Sequence, residues 1–319
     1  MKQPKFWTRP NTKRGRLLAP IGHLYEKSVE RRFKKTTAYQ PKIPVICVGN
    51  LCVGGSGKTP LCLALADFFL QKGVKVYFLN HGYKSRLQNV LVDLDLHSSD
   101  DISDEALLLA EKAPTIVDKN RARGVMKAEK MGAELVIMDD GFQNPSVKKT
   151  ISFIVFDGAR GIGNGLCLPA GPLRETLQQG LKRATAAVIL GPDRTELTER
   201  IHHYAPDFPV LRAEFKMDHP LVGFKGIAFA GIGTPNKFFD MLKENGVVLE
   251  GEYPFPDHYS YKRADIEKML ARSDTVLTTA KDAVKVPSDL RSRLTVIKPT
   301  SVLNNPEEWE EILKKVLNK

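Results

Sequence analysis

No apolar run in these 319 residues reaches the roughly 18 to 20 positions that cross a bilayer, so a transmembrane helix is excluded. The amino terminus also lacks the charged, apolar, small-residue order of a secretory leader, and the expected location is the cytosolic side of a membrane. Cysteine is scarce: Cys47, Cys52, Cys62 and Cys167 fall at spacings that make neither a C-x-x-C pair nor a zinc quartet. They read as buried small residues of a reduced compartment, Cys52 included, although it stands beside a glycine loop. Acidic residues are too few to balance 48 Lys and Arg, which leaves a formal net charge of +11. What is present, 42% apolar and 27% charged residues, is ordinary globular material, enough for two modest domains or one large one.

The excess charge is local. Residues 1–35 hold eleven Lys or Arg against Glu26 and Glu30, a surplus of nine. From Leu17 onward Leu18, Ile21, Leu24, Tyr25, Val29 and Phe33 recur at three- and four-residue steps, which predicts an amphipathic helix over about 15–35 with basic margins, starting near Pro20. Phe6 and Trp7 precede it. Such a helix either packs on the protein body or lies in the headgroup layer of an anionic membrane. The segment carries none of the aromatic interleaving or motifs of nucleic-acid binders, so no nucleic-acid partner is expected.

Ile43 to Val48 reads as a buried parallel strand, followed by a loop through Asn50, Gly54, Gly55, Ser56, Gly57, Lys58, Thr59 and Pro60 and then an apolar helix. Strand, glycine loop and helix in that order describe a phosphate-binding loop. Its N–H groups would cradle phosphates, Lys58 would reach the β and γ oxygens, and Thr59 would offer a hydroxyl to Mg²⁺. Pro60 suits the first helical turn, where a missing N–H is tolerated. Cys52 stands where the strict pattern has glycine. The G-G-x-G-K-T form is also that of partitioning and nitrogenase-type ATPases, but these place lysine where this chain has Val53.

Other candidates sit at the ends of apolar strands. Asp139 and Asp140 close the strand Ala133 to Met138, where a carboxylate can hold Mg²⁺ opposite Thr59. Asn80 to Arg86 form an aromatic and basic loop at the edge where parallel sheets bind ligands. Ser103 reads as an N-cap with Asp104 and Glu105 in the first turn, which accounts for those acids without any chemistry. Pro169 to Glu175 form a rigid turn that presents Arg174 to phosphate and Glu175 to metal. Pro254 to Tyr259 fix His258 beside Asp257 on a stiff loop.

These blocks, together with Ala228 to Gly233 and Thr278 to Ala283, resemble in their order the tetraacyldisaccharide 4'-kinase family of lipid A biosynthesis, across about residues 20–285. The resemblance implies a peripheral enzyme on the cytoplasmic face of the bacterial inner membrane. It implies Mg²⁺ and ATP as cofactors, and phosphorylation of the 4'-hydroxyl of an acylated glucosamine disaccharide 1-phosphate. It further implies that Asp104 and His258 form a catalytic pair, that Asp140 and Glu175 belong to the metal site, and that Arg174 faces phosphate. Three positions depart from the family pattern: His81 replaces an arginine, Ser103 a glycine and Ala280 a glutamate. Lys84 and Arg86 are then the basic groups left to the loop at 80–86.

Strands at 43–48, 74–79, 115–117, 134–139, 151–156 and 186–190 alternate with helices, which predicts an α/β fold with a doubly wound, mostly parallel sheet of P-loop NTPase type. The expected division is a core over 1–222 and a smaller α/β domain over 223–319, with its last helix, Pro306 to Leu317, folding back on the core. The rival reading is a partner-regulated ATPase of the partitioning or metal-insertion type, which would use the same loop as a switch.

Overall fold

The computed structural model describes residues 4–217, 221–257 and 259–317. A short 3₁₀ turn, Lys5–Trp7, leads into α1 (Lys13–Lys35). The first sheet region then runs β1 (Val45–Gly49), α2 (Lys58–Leu70), β2 (Val76–Asn80), β3 (Val90–Leu91), α3 (Asp104–Ala110) and β4 (Thr115–Val117). It continues with α4 (Arg121–Lys130), β5 (Leu135–Asp139), β6 (Ile151–Asp157), α5 (Leu177–Leu181), β7 (Ala186–Leu190), α6 (Leu197–Tyr204) and β8 (Val210–Met217). A second region follows: β9 (Lys225–Ala230), α7 (Pro235–Glu244), β10 (Val248–Pro254), α8 (Arg263–Leu270), β11 (Val276–Thr279), α9 (Ala280–Ala283), α10 (Ser288–Arg291) and β12 (Thr295–Ile297). The chain closes with β13 (Pro299–Leu303) and α11 (Pro306–Leu317).

The first sheet has the order β13-β8-β7-β6-β1-β5-β2-β4-β3 and is parallel except at its two edge pairs. The second has the order β10-β9-β11-β12 and is parallel throughout. The doubly wound parallel sheet expected from the sequence is therefore present. β1 shows why: Ile46 and Val48 face a core shared with α2 and α11, while Val45 and Cys47 face one shared with α4, α5 and α6. A strand covered on both faces needs the continuous apolar run that this one has.

The first sheet is wider than the six expected strands. β8 alternates apolar with charged residues, β3 is two residues long, and β13 enters from the far end of the chain to pair antiparallel with β8. α11 follows β13 onto this sheet, where Trp309 is 1% exposed and its ring centroid lies 5.4 Å from that of Phe153.

α1 departs from its expected start. It begins at Lys13, because the Thr12 side chain accepts from Gly15 N–H at 3.1 Å and caps the first turn, and Pro20 lies inside it. Its apolar residues also divide between two faces. Small residues make the inward face, and a Cβ on Gly22 would stand 2.8 Å from Cys167 O. Val29 is buried there, whereas Leu17 (78%), Ile21 (52%) and Leu24 (66%) stay exposed among the exposed basic residues.

Candidate active site

β1 feeds the loop 50–57 and α2 leaves it, so the loop lies at the carboxyl edge of the parallel strands. Gly57, at φ 79°, turns it into α2; a Cβ there would stand 2.3 Å from Leu190 Cδ1 and 2.8 Å from Phe215 Cζ, so only glycine fits. Gly54 also takes a positive φ, and the position of Gly55 opens to free space. Asn50, fully buried, staples the turn by donating from Nδ2 to Ser56 Oγ (3.0 Å) and Gly54 O (3.4 Å). Among the described residues the N–H groups of Gly54, Gly55, Ser56 and Gly57 donate no hydrogen bond, the condition of an anion cradle. Lys58, Thr59 and Pro60 form the first turn of α2. Burial raises the Cys52 thiol to about 12, so it is a packed thiol.

β5 runs beside β1 with Val48 opposite Asp139, and this register brings the strand-end acids to the loop. Thr59 Oγ1 donates to Asp139 Oδ2 at 3.1 Å, and Asn80 Nδ2 donates to the same oxygen at 3.3 Å. The other oxygen, Oδ1, is buried with no hydrogen-bond partner among the described residues. Burial raises the Asp139 carboxyl to about 6 against the pull of Lys58. Burial also works to raise Asp140, but Lys58 Nζ at 3.8 Å and Arg174 Nη1 at 3.2 Å outweigh it and hold that carboxyl below the usual range.

The orphaned oxygen of Asp139 beside the Thr59 hydroxyl fits Mg²⁺, which takes one or two protein oxygens and completes its shell with phosphates and water. Among the described residues no group of three or more His, Cys, Asp or Glu could hold a metal, so such an ion would draw most of its ligands from phosphate and water.

Arg174 reaches the loop because the segment before it is pinned to the loop's outer side. Val53 N–H donates to Pro172 O (2.9 Å) and Arg174 N–H to Leu51 O (2.7 Å). Glu175, expected at the metal, is 1% exposed and bonds elsewhere: its carboxylate forms a close ion pair with Arg183 and accepts from Gln143 Nε2 at 3.1 Å. Gln143 Nε2 also donates to Asn50 O (2.8 Å), so Glu175 braces the loop from behind.

Asp104 opens α3 against the second sheet region. Ser103 occupies the N-cap position but makes no side-chain cap bond; its Oγ donates instead to Asn80 Oδ1 at 3.3 Å. A line of hydrogen bonds therefore runs from Thr59 through Asp139 and Asn80 to Ser103, the residue before Asp104. His258 lies outside the described residues. The sequence puts Asn80 at the ligand-binding edge of the sheet but carries no sign that it bonds Asp139. Arg121 carried no signal: it is 1% exposed and its guanidinium donates to the carbonyls of Leu79 (3.3 Å), Asp139 (3.0 Å) and Asp140 (3.0 Å), fixing the strand ends.

Fold and site together define a P-loop nucleotide-binding protein with a second α/β region facing the loop edge of its sheet. The family model of tetraacyldisaccharide-1-P 4'-kinase matches residues 14–318, and the chain belongs to that family. It is 47% identical to the tetraacyldisaccharide 4'-kinase of Paramagnetospirillum magneticum over 93% of both chains. The enzyme of that name from Rhodospirillum rubrum is 41% identical over 99% of this chain and 98% of its own. Among solved structures, LpxK from Aquifex aeolicus in complex with ATP matches with a TM-score of 0.76 and 26% identity, over 95% of this chain and 99% of that one. The chain is accordingly a kinase.

Proposed function

We propose that this enzyme transfers the γ-phosphoryl group of ATP to the 4'-hydroxyl of an acylated glucosamine disaccharide 1-phosphate, working as a peripheral protein on the cytoplasmic face of the bacterial inner membrane. The observation that carries the reading is the hydrogen-bonded line from Thr59 through Asp139 and Asn80 to Ser103, which couples the phosphate loop to the acid beside a second α/β region. In this reading the loop N–H groups, Lys58 and Arg174 hold the triphosphate, and Thr59 and Asp139 hold Mg²⁺. Asp140 holds Lys58 and Arg174 in place and can take a Mg²⁺-bound water, while Glu175 braces the wall. When bound, Mg²⁺ neutralises charge on the β and γ oxygens.

The chemistry left to the protein is positioning and one proton transfer. Asp104 accepts the proton of the sugar hydroxyl while the hydroxyl oxygen bonds to the γ phosphorus. The bond from that phosphorus to the β-bridging oxygen breaks, and ADP leaves. His258 is proposed to orient that base. Closing the second region over the loop would exclude water that otherwise hydrolyses ATP. The outward stripe Leu17, Ile21 and Leu24, set among basic side chains, supports contact with an anionic membrane.

The test is to incubate purified protein with γ-labelled ATP, Mg²⁺ and the acylated disaccharide 1-phosphate in detergent. We expect label in a bisphosphorylated lipid, its loss with Lys58→Ala, and a fall in rate of about 10²–10⁴ with Asp104→Ala. ATP consumption without labelled lipid would hand the chain to the regulatory ATPase reading.

A further inference from the structure

The first turn of α3 meets the second region through two neighbouring acids and two lysines one helical turn apart. Lys281 Nζ lies 2.7 Å from Glu105 Oε1, at a rim where both side chains are about a quarter exposed. Lys285 lies deeper, with 3% of its side chain exposed. Its ammonium stands 2.8 Å from Asp282 Oδ1, 3.7 Å from Asp104 Oδ2 and 3.5 Å from Gly231 O, over the ring of Tyr261 at 5.5 Å.

Asp282 is anchored without help from the first region. Tyr261 Oη donates to its Oδ1 at 3.0 Å and Thr279 Oγ1 to its Oδ2 at 2.7 Å. The Lys285–Asp282 pair is thus a preassembled unit of the second region, and its cation faces an acid of the first. An ammonium that close to a carboxylate in a pocket nearly closed to water favours the ionised acid and fixes its direction. A proton acceptor needs both.

We propose that Lys285 is a positioning residue for phosphoryl transfer: anchored by Asp282, it holds the Asp104 carboxylate ionised and aimed, so the base is competent only while the two regions are in register. This rests on the reading of Asp104 as the base. Among the described residues, the charged and titratable groups around it include Glu105 on α3 and Tyr261, Lys281, Asp282 and Lys285 on the second region, with Asp257 in electrostatic reach of Lys281. Burial, with Asp282 adding to it, pushes the Tyr261 phenol far up, so it stays neutral and does not titrate in the working range.

The experiment compares wild type with Lys285→Met, Lys285→Arg, the double variant Asp282→Asn/Lys285→Met, and Asp104→Ala. It measures kcat against pH with the lipid acceptor, and ATP affinity by equilibrium binding. For Lys285→Met we expect kcat at neutral pH to fall about 100-fold, ATP affinity to stay within about twofold, and the acidic limb of the kcat profile to move up by about one to two pH units, because losing a cation makes the base harder to ionise. Lys285→Arg keeps the charge and should restore the limb. The double variant removes the buried charge as a pair and so protects the fold, yet its limb should stay shifted. A loss of kcat in Lys285→Met with an unmoved acidic limb, or wild-type kcat in the double variant, overturns the proposal. If Asp104→Ala keeps wild-type kcat, the base reading itself fails; if Asp104→Ala is inactive while Lys285→Met is wild-type, only the role of Lys285 fails.

Discussion

Asp139, the proposed Mg²⁺ ligand, shows how burial shapes a single residue. Its carboxyl is raised to about 6 from 3.8, so the folded protein holds that proton more tightly than the unfolded chain does. In the metal-free protein, ionising it therefore lowers stability. The loss is absent below about pH 4 and complete above about pH 6, on the order of 3 kcal/mol. We expect the melting temperature of metal-free wild type to fall further between pH 5 and pH 7.5 than that of Asp139→Asn, as scanning calorimetry can read. Adding Mg²⁺ and ATP at pH 7.5 should raise the wild type and leave Asp139→Asn nearly unmoved. Gly57 is a second test at this scale. An alanine there takes a left-handed φ and drives its Cβ into Leu190 and Phe215. Gly57→Ala should weaken ATP binding at least about tenfold and lower the melting temperature, since the backbone strain alone is about 1–2 kcal/mol.

Among the elements, α1 does two jobs with two faces. Inward, it docks on the wall beside the loop: Thr176 Oγ1 donates to Glu26 at 2.6 Å, Arg32 donates to Gln143 O at 2.9 Å, and the Arg183 guanidinium that pairs with Glu175 stacks 4.0 Å over Phe33. Outward, it offers Leu17, Ile21 and Leu24. Substitutions on the two faces should separate. Leu17→Glu/Leu24→Glu should cut binding to vesicles rich in anionic lipid by more than about tenfold, because burying each leucine contributes about 1.5–3 kcal/mol, while leaving the melting temperature within about 2 °C. Gly22→Val should do the reverse at first order and destabilise the fold, since its Cβ would meet Cys167 O. Flotation and thermal melts distinguish the outcomes.

Over the whole molecule, we propose a division into two lobes that differs from the simple cut at 222. The first takes residues up to 217 and also β13 and α11; the second is 221–298. The chain enters the second lobe after β8 and returns as β13 beside β8. Among the described residues the lobes meet through the buried Lys285–Asp104 contact and, nearer the surface, through Lys281–Glu105, Lys298–Glu111 (2.8 Å), Arg160 to Thr234 (2.8 Å) and a close Lys237–Asp157 pair. Most of these are exposed, solvent-screened contacts that a hinge can remake. A carboxyl-terminal residue should then control the stability of the amino-terminal lobe: Trp309→Ala should cost about 3–5 kcal/mol in urea unfolding followed by a probe on the first sheet. An unfolding midpoint equal to wild type would refute that assignment.

Local order and hydrophobic pattern determined much by themselves. The strand, glycine loop and Lys58-Thr59 pair, the acids closing β5 and the alternation of the first sheet are all contiguous features, and backbone geometry acts between neighbours. The two faces of α1 were not legible, because periodicity groups apolar residues and cannot tell that Gly15 and Gly22 make the closer contact. Nor were the strands β8 and β13 as partners, or Glu175 turned onto Arg183. The tertiary structure alone decided that Asn80 and Ser103 join two loops, and that Lys285 meets an acid 181 positions away. Such pairings depend on which strands lie side by side, and charge and burial at a point are set by everything packed around it rather than by what precedes it in the chain.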